Sequence, residues 1–276
     1  MDLQAFKSLQ TVLGGEVLQV AQALEPTEAT YLAHFTSLSR IYPPEICRAA
    51  LETAILRFEA REKFPNATQM FFIREALEQA THGEISQYRA QRYHGLKYLI
   101  DLGCSIGSDT FHLAAYAPVT GIDIDPLRLH IAQTNLQTLE PTNPISFIQA
   151  DLQCPLPVKL SPYSGLFFDP ARRDSQRRTF TVKNYHPPLS VLENWLSKCP
   201  NLGVKISPGV KIEEIYHYQA ELEFVSLRGE LKEAQLWFGG LRSANRRATL
   251  LPGPNTYLAP DDLLDTIPGL DRKSVV

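Results

Sequence analysis

Cysteine is scarce in this chain, and the spacing of its four cysteines excludes two common uses. Cys47, Cys104, Cys154 and Cys199 lie far apart in 276 residues, and none of them belongs to a CxxC pair. Zinc sites need closely spaced ligands, and disulfide frameworks are typical of short secreted chains. We therefore expect no metal and reduced thiols, as in a cytoplasmic protein.

Long apolar runs and a surplus of positive charge are also absent. No stretch approaches the roughly 18 apolar residues that span a bilayer, and the N-terminal MDLQAFKSLQ has no apolar signal core. Lys and Arg total 27 against 30 Asp and Glu, so the formal net charge of −3 gives no global basic field for nucleic acid. The net charge does not exclude a local basic patch. These absences predict a soluble cytoplasmic protein without a membrane partner, and they leave its oligomeric state unknown.

The pattern of apolar residues changes near residue 94. Residues 1–94 have apolar positions at helical spacing, with one helix between Pro43-Pro44 and Pro65-Asn66 and another from about residue 70 to 94. From about residue 96, apolar strands alternate with helices, which is typical of a parallel, doubly wound sheet. Two further strands meet at Gly229 as an antiparallel hairpin. We predict a helical domain over 1–94, a Rossmann-like α/β domain with a mostly parallel seven-stranded sheet over 95–255, and a tail over 256–276.

A glycine turn follows the first predicted strand, in IDLGCSIGSD (100–109). Gly103 and Gly107 allow a tight turn and a close approach to a ligand at the carboxyl end of the strand. A dinucleotide fingerprint would need glycine at positions 105 and 108, where the chain has serine. Asp101 before the turn suits an ammonium group better than a pyrophosphate. S-adenosylmethionine carries an ammonium, a carboxylate and a sulfonium, and no phosphate.

Acids also end the next two strands. Asp123 stands 22 positions after Asp101, where an acid accepts hydrogen bonds from ribose hydroxyls, although nicotinamide-binding folds have such an acid too. Asp151 could take an adenine amino group or merely cap a turn, and Ile124 and Leu152 could lie against the adenine ring. Three acids at successive strand ends, together with the glycine turn, predict an S-adenosylmethionine site.

The fourth strand ends in FFDPARR (167–173). The carboxylate of Asp169 and a carbonyl near Pro170 could accept hydrogen bonds from an amino group and so orient its nitrogen toward a methyl donor. Alternatively, the pair simply ends a strand. Lys205, at the end of the fifth strand, faces the same crevice and is a candidate for substrate binding. The basic residues that follow form either a solvated face or a phosphate-binding rim that would attract nucleic acid, and they are Arg172, Arg173, Arg177, Arg178 and Lys183.

The ordered set DLGCSIG, GIDIDP, QAD and FFDPARR resembles class I S-adenosylmethionine-dependent methyltransferases. With KFPNATQMFFIREALEQAT, VKISPG and RRATLLP, it is similar over about residues 40–255 to a largely uncharacterised bacterial family. Members of that family have a helical N-terminal region and usually a THUMP-like or ferredoxin-like C-terminal domain. The resemblance implies S-adenosyl-L-methionine as cofactor and an acceptor site at Asp169 and Pro170. It assigns the cofactor contacts to Asp101, Gly103, Gly107, Asp123 and Asp151.

Two departures from that family pattern concern the loop and the acceptor motif. Ser105 stands where glycine is more frequent, and DPAR lacks the aromatic residue that stacks on a base in adenine and guanine amino-methyltransferases. The resemblance also implies that MFFIREALEQAT covers the methionine end of the cofactor, with Phe72 and Arg74 as candidates, although helix packing explains both equally well. The expected reaction is methyl transfer to a nitrogen of an RNA base. A small-molecule or protein acceptor, or cofactor binding without catalysis, stays open.

Overall fold

The computed structural model describes residues 1–171 and 181–259, and the backbone of a two-residue strand pair between them, Arg173–Asp174 (β5) and Arg177–Arg178 (β6). Residues 1–97 precede the first strand, and the regular structure within them is helical. The helix bounds are Leu3–Leu9 (α1), Val12–Ala23 (α2), Tyr31–Leu38 (α3), Pro44–Glu59 (α4), Arg74–Gln79 (α5) and Gly83–Ala90 (α6).

The helix starts and stops follow local chemistry in some places and tertiary contacts in others. Pro44 occupies the first turn of α4, where its missing N–H costs nothing, as predicted. The single helix predicted from about residue 70 to 94 is wrong. The chain is extended before α5 and breaks again between α5 and α6, where Ala80 and His82 both have ψ of 137°. The break turns the segment toward the sheet, where Lys205 binds it through hydrogen bonds described below.

The sheet has nine strands in the described part of the chain, rather than the seven predicted. Their spatial order is β11-β10-β8-β9-β7-β4-β1-β2-β3. The bounds are Tyr98–Leu102 (β1), Val119–Asp123 (β2), Ile145–Gln149 (β3), Ser164–Phe168 (β4), Leu202–Ile206 (β7), Glu221–Leu227 (β8), Glu230–Trp237 (β9), Arg246–Leu251 (β10) and Asn255–Leu258 (β11). The connecting helices are Ser108–Leu113 (α7), Pro126–Leu139 (α8) and Leu192–Leu196 (α9).

Strands β3, β2, β1, β4 and β7 are parallel, and β9 runs antiparallel to both β7 and β8. The predicted hairpin is present: Arg228 and Gly229 join β8 to β9 with φ of 52° and 83°, the positive values that a two-residue hairpin turn requires. The two additional strands, β10 and β11, extend the sheet beyond β8. All four side chains of β11 are exposed, so no apolar alternation marks it in the sequence.

The site of ligand binding follows from strand order. The chain runs outward from β1 through β2 to β3, then returns to place β4 on the other side of β1. This reversal is the topological switch point, where the connections diverge and leave a crevice at the carboxyl ends of β1 and β4. The predicted boundaries of the three segments stay a prediction, and β11 runs across the second of them.

Charged side chains are buried where α6 packs on the antiparallel strands. Glu221, Glu223 and Glu233 are each at most 2% exposed. Arg92 and Arg247 pair with Glu221, and Arg89 pairs with Glu233. The pairs of Arg89 and Arg92 join the helical region to the sheet, and the pair of Arg247 with Glu221 joins β10 to β8. Within the described residues, no helix is both long and apolar enough to cross a membrane.

Candidate cofactor and acceptor site

A cavity of about 350 Å³ lies at the carboxyl ends of β1, β2, β3 and β4, and the segment between α5 and α6 forms its opposite wall. Pockets for small ligands have volumes of roughly 300–1,000 Å³. The cavity therefore has room for one ligand of cofactor size. A second molecule must approach it from the rim.

The turn after β1 needs glycine for a reason that only the structure shows. Gly103 and Gly107 have φ of +83° and +84°. A Cβ on Gly103 would lie 2.8 Å from the carbonyl oxygen of Asp169, so the cofactor turn and the acceptor motif are in direct backbone contact. Ser105 also takes a left-handed conformation, with φ of 49°, and its N–H donates to Oδ2 of Asp123 at 2.9 Å. Serine is accommodated here because the acid of β2 binds the loop.

Gly103→Ala is expected to lower both stability and cofactor affinity. Gly95→Ala is its matched control, because Gly95 has φ of +86° but a Cβ at that position would meet nothing within 4 Å. Both variants should lose about 1–2 kcal/mol of unfolding free energy from left-handed strain. Only Gly103→Ala should also weaken S-adenosylmethionine binding by about tenfold or more, since the turn or Asp169 must shift. Urea unfolding and calorimetric titration measure the two effects, and equal affinities in the two variants would contradict the prediction.

Asp101 supplies a buried carboxyl oxygen in the cavity. The side chain is 1% exposed, and Oδ2 accepts a hydrogen bond from Oγ1 of Thr110. Its other oxygen, Oδ1, is buried without a hydrogen-bond partner among the described residues. Burial raises the pKa of Asp101 well above its usual range, and the nearby carboxylate of Asp109 raises it further. Such an oxygen is stabilised when a cationic donor arrives, which is what the ammonium of an amino acid provides.

Backbone N–H groups fix both carboxylate oxygens of Asp123. Ser105 and Asp125 each donate a backbone N–H to one of its oxygens, both at 2.9 Å. Each carboxylate oxygen keeps further acceptor capacity, and Asp123 lines the cavity. A rigid carboxylate of this kind can accept hydrogen bonds from both hydroxyls of a ribose.

The residues predicted around the adenine ring also line the cavity. Both residues give the cavity apolar surface. Leu152 is buried and provides the inner part, and Ile124 is 61% exposed and provides the outer part. Oδ1 of Asp151 accepts the N–H of Gln153 at 2.9 Å. The turn-capping role that the sequence left open is therefore real, and it leaves Oδ2 free of described partners for a ligand.

The acceptor motif borders the same cavity. Asp169 and Pro170 line it together with Ala171, His186 and Pro187. Ala171 and His186 exchange backbone hydrogen bonds of 3.0 Å in both directions, which fixes the exposed His186 beside the motif. Tyr185, the residue before His186, is buried and its hydroxyl accepts the N–H of Ser207 at 2.9 Å.

The predicted substrate contacts of the basic run are not tested by this geometry. Arg172 lies outside the described residues, and for Arg173 only the backbone is described, in β5. The side chains of Arg177 and Arg178 are likewise outside the described part. Their role at the rim remains a prediction.

Lys205 differs from its predicted role. Its side chain is buried and does not line the cavity. The ammonium donates to Oδ2 of Asp169 at 2.7 Å, to Oγ1 of Thr81 at 2.9 Å and to the carbonyl of Gln79 at 3.4 Å. An ammonium has three donors, and these partners use all of them. The expectation that Lys205 contacts substrate is therefore replaced by a contact with Asp169 itself.

The segment before β1 does reach the cavity, through other residues than those predicted. Phe72 is fully buried against Phe64, and Arg74 points outward to pair with Glu28 and Glu59. The cavity is lined instead by the next turn and the break after it, through Ala76, Gln79, Ala80 and Thr81. The sequence predicted that this segment lies beside the cavity. It did not predict which of its residues line the cavity, because the helix break changes the direction of the chain.

The charge of the cavity selects among ligands. Among the described lining residues, Arg128 is the one arginine or lysine, against six acids: Asp101, Asp109, Asp123, Asp125, Asp151 and Asp169. This set supplies hydrogen-bond acceptors rather than the cationic donors that a pyrophosphate needs. A ligand with an ammonium and a sulfonium suits these acceptors, and Arg128, which also pairs with Glu75 and Asp125, is the cation in this lining that could meet its carboxylate. The residues therefore fit S-adenosylmethionine.

Comparison with known proteins agrees with this geometry. Residues 99–169 match the model of a methyltransferase domain, and residues 2–60 match a domain of unknown function, DUF8688. An uncharacterised S-adenosylmethionine-dependent methyltransferase from two strains of Mycobacterium tuberculosis is 36% identical over 216 residues. The match covers 73% of this chain and 57% of the relative, so the chain spans somewhat more than half the length of the curated relatives it matches.

A solved structure from Porphyromonas gingivalis W83, described as a candidate methyltransferase, has the same fold. It aligns with a TM-score of 0.65 at 20% identity, covering 84% of this chain and 66% of the other. The fold, the site and the matches together define a class I S-adenosylmethionine-dependent methyltransferase domain. The cofactor predicted from the sequence is confirmed at this level.

Proposed function

We propose that this chain transfers a methyl group from S-adenosylmethionine to a nitrogen of an RNA base. The observation that carries the proposal is the state of Asp169 at the carboxyl end of β4. Oδ2 is bound to Lys205, and Oδ1 has no hydrogen-bond partner among the described residues. A carboxyl group with one oxygen free of described partners at the cavity is suited to accept a hydrogen bond from an amino group.

The geometry of the rim supports an acceptor that enters beside Pro170. Proline has no N–H, so the backbone at this point offers a carbonyl and no competing donor. Two acceptors, the Asp169 carboxylate and a nearby carbonyl, would hold an amino group with its lone pair toward the methyl donor. Positioning of this kind supplies much of the rate enhancement in a bimolecular transfer. No additional base is needed before the transfer, because a neutral amino nitrogen is already nucleophilic.

Two features support a nucleobase as the acceptor. The exposed ring of His186 stands at the rim, and His rings stack on unpaired RNA bases. This ring takes the place of the aromatic residue that the DPAR motif lacks. The basic run from Arg172 to Lys183 directly follows the acceptor motif in the sequence, which supports binding of a phosphate backbone.

The test is transfer of tritiated methyl from S-adenosylmethionine into total RNA from a strain in which the corresponding gene has been deleted. We expect ribonuclease-sensitive label with the wild-type protein. Asp169→Asn should lower the turnover about 100-fold or more at saturating S-adenosylmethionine, because it disturbs the orientation of the acceptor. Label that resists ribonuclease but is removed by protease would overturn the RNA acceptor. Cofactor binding without transfer to any macromolecule would overturn it as well.

A further inference from the structure

Lys205 joins two parts of the site that otherwise belong to different regions of the chain. Its ammonium contacts Asp169, which belongs to the acceptor motif, and Gln79 and Thr81, which line the cofactor cavity from the helical region. Both Lys205 and Thr81 are buried, at 3% and 5% exposure. A buried ammonium left without one of its partners pays a desolvation cost, so the three contacts depend on one another.

The end of α5 is attached on another side to Lys63, whose ammonium donates to the carbonyls of Leu77 at 2.6 Å and Glu78 at 3.3 Å. The N–H of Ala80 donates to the carbonyl of Ala76 at 2.8 Å and that of Gly83 to the carbonyl of Lys63 at 3.3 Å, and between them the N–H groups of Thr81 and His82 have no backbone acceptor among the described residues. The side chain of Lys205 therefore carries much of the contact between this segment and the end of β7. Loss of that contact should loosen the cofactor wall locally while leaving α4 and the sheet intact.

We propose that Lys205 is a positioning residue that couples the cofactor wall at Gln79–Thr81 to the acceptor carboxylate of Asp169. A cofactor that packs against this wall fixes Thr81, Thr81 fixes the ammonium, and the ammonium fixes Oδ2 of Asp169. Oδ1 of Asp169 then points into the cavity only when the wall is in place. The site thereby makes acceptor binding favourable after the cofactor has bound. The coupling is reciprocal, as linkage between two sites must be.

The inference rests on the proposed function for the role of Asp169, but the coupling itself can be measured without any acceptor. Amide hydrogen exchange at Ala80 and Gly83 reports on the wall, and amides of α4 serve as an internal reference for global stability. Lys205→Met and Thr81→Val should each speed exchange at these two amides about tenfold or more. The matched control is Thr53→Val, a buried threonine in α4 whose hydroxyl has no hydrogen-bond partner among the described residues. In Thr53→Val, the amides of Ala80 and Gly83 should exchange at the wild-type rate.

The decisive arm uses Asp169→Ala together with S-adenosylhomocysteine as the probe. We expect Asp169→Ala to speed exchange at Ala80 and Gly83, because the side chain of Asp169 reaches the wall through the Lys205 ammonium. We also expect the probe to slow that exchange in the wild type and to bind Lys205→Met about tenfold more weakly. Lys205→Arg should recover part of this affinity. Wild-type exchange at both amides in Asp169→Ala would overturn the coupling, and this result is independent of whether RNA is methylated.

Discussion

Arg89→Met is expected to lower the free energy of unfolding by about 3–5 kcal/mol, the usual cost of breaking a buried ion pair on one side. Arg89 is 1% exposed and pairs with Asp109 in α7 and Glu233 in β9. Its guanidinium also lies over the ring of Phe167 at 4.4 Å. Removal of the cation leaves two buried carboxylates without their main counter-charge.

The matched control is Arg228→Met, because Arg228 also pairs with a glutamate but is 62% exposed. Exposed pairs contribute only about 0–1 kcal/mol. Urea unfolding of both variants compares the buried pair with the exposed one. A triple variant, Arg89→Met with Asp109→Asn and Glu233→Gln, should recover part of the loss, since it removes the unpaired charges. Equal destabilisation by Arg89→Met and Arg228→Met would contradict the prediction.

Asp101→Asn is expected to weaken S-adenosylmethionine binding by about 10- to 150-fold, the value of a hydrogen bond between charged groups. Asparagine keeps a carbonyl for Thr110 but cannot ionise to pair with the ammonium of the ligand. The control ligand is 5′-methylthioadenosine, which has no amino-acid portion. Its affinity should be the same in the variant and the wild type, and an equal loss for both ligands would indicate a disrupted turn instead.

The raised pKa of Asp101 also predicts a proton linked to cofactor binding. Burial, with the Asp109 carboxylate, keeps the folded-state pKa above the value in the unfolded chain. The contribution of Asp101 to stability is therefore fully present below its unfolded pKa and is lost as pH rises through the folded one. An arriving ammonium favours the ionised form, so binding below the folded pKa releases up to about one proton. Calorimetric titration in two buffers of different ionisation enthalpy measures this proton, which should be absent in Asp101→Asn.

Much of the site can be predicted from the sequence because parallel strands place their carboxyl ends at one edge of a sheet. Asp101, Asp123, Asp151 and Asp169 each follow an apolar run, and strand order then brings them around one cavity. Local signals of this kind depend on backbone geometry and burial, which short stretches of sequence express directly. The hairpin at Gly229 belongs to the same class of signal.

What sequence alone determined is therefore the α/β order of elements, the glycine turn and the acids that surround the cofactor. The tertiary structure decided the partners of the buried charges and the inward face of the α5–α6 segment. Lys205, Thr81 and Asp169 are separated by up to 124 positions, and no local pattern links them. The tertiary structure also decided the outermost strand, because β11 has no buried side chain and pairs with β10 through its backbone, as β10 does with β8. Long-range desolvation and pairing set these features, and such effects exist only once the chain has folded.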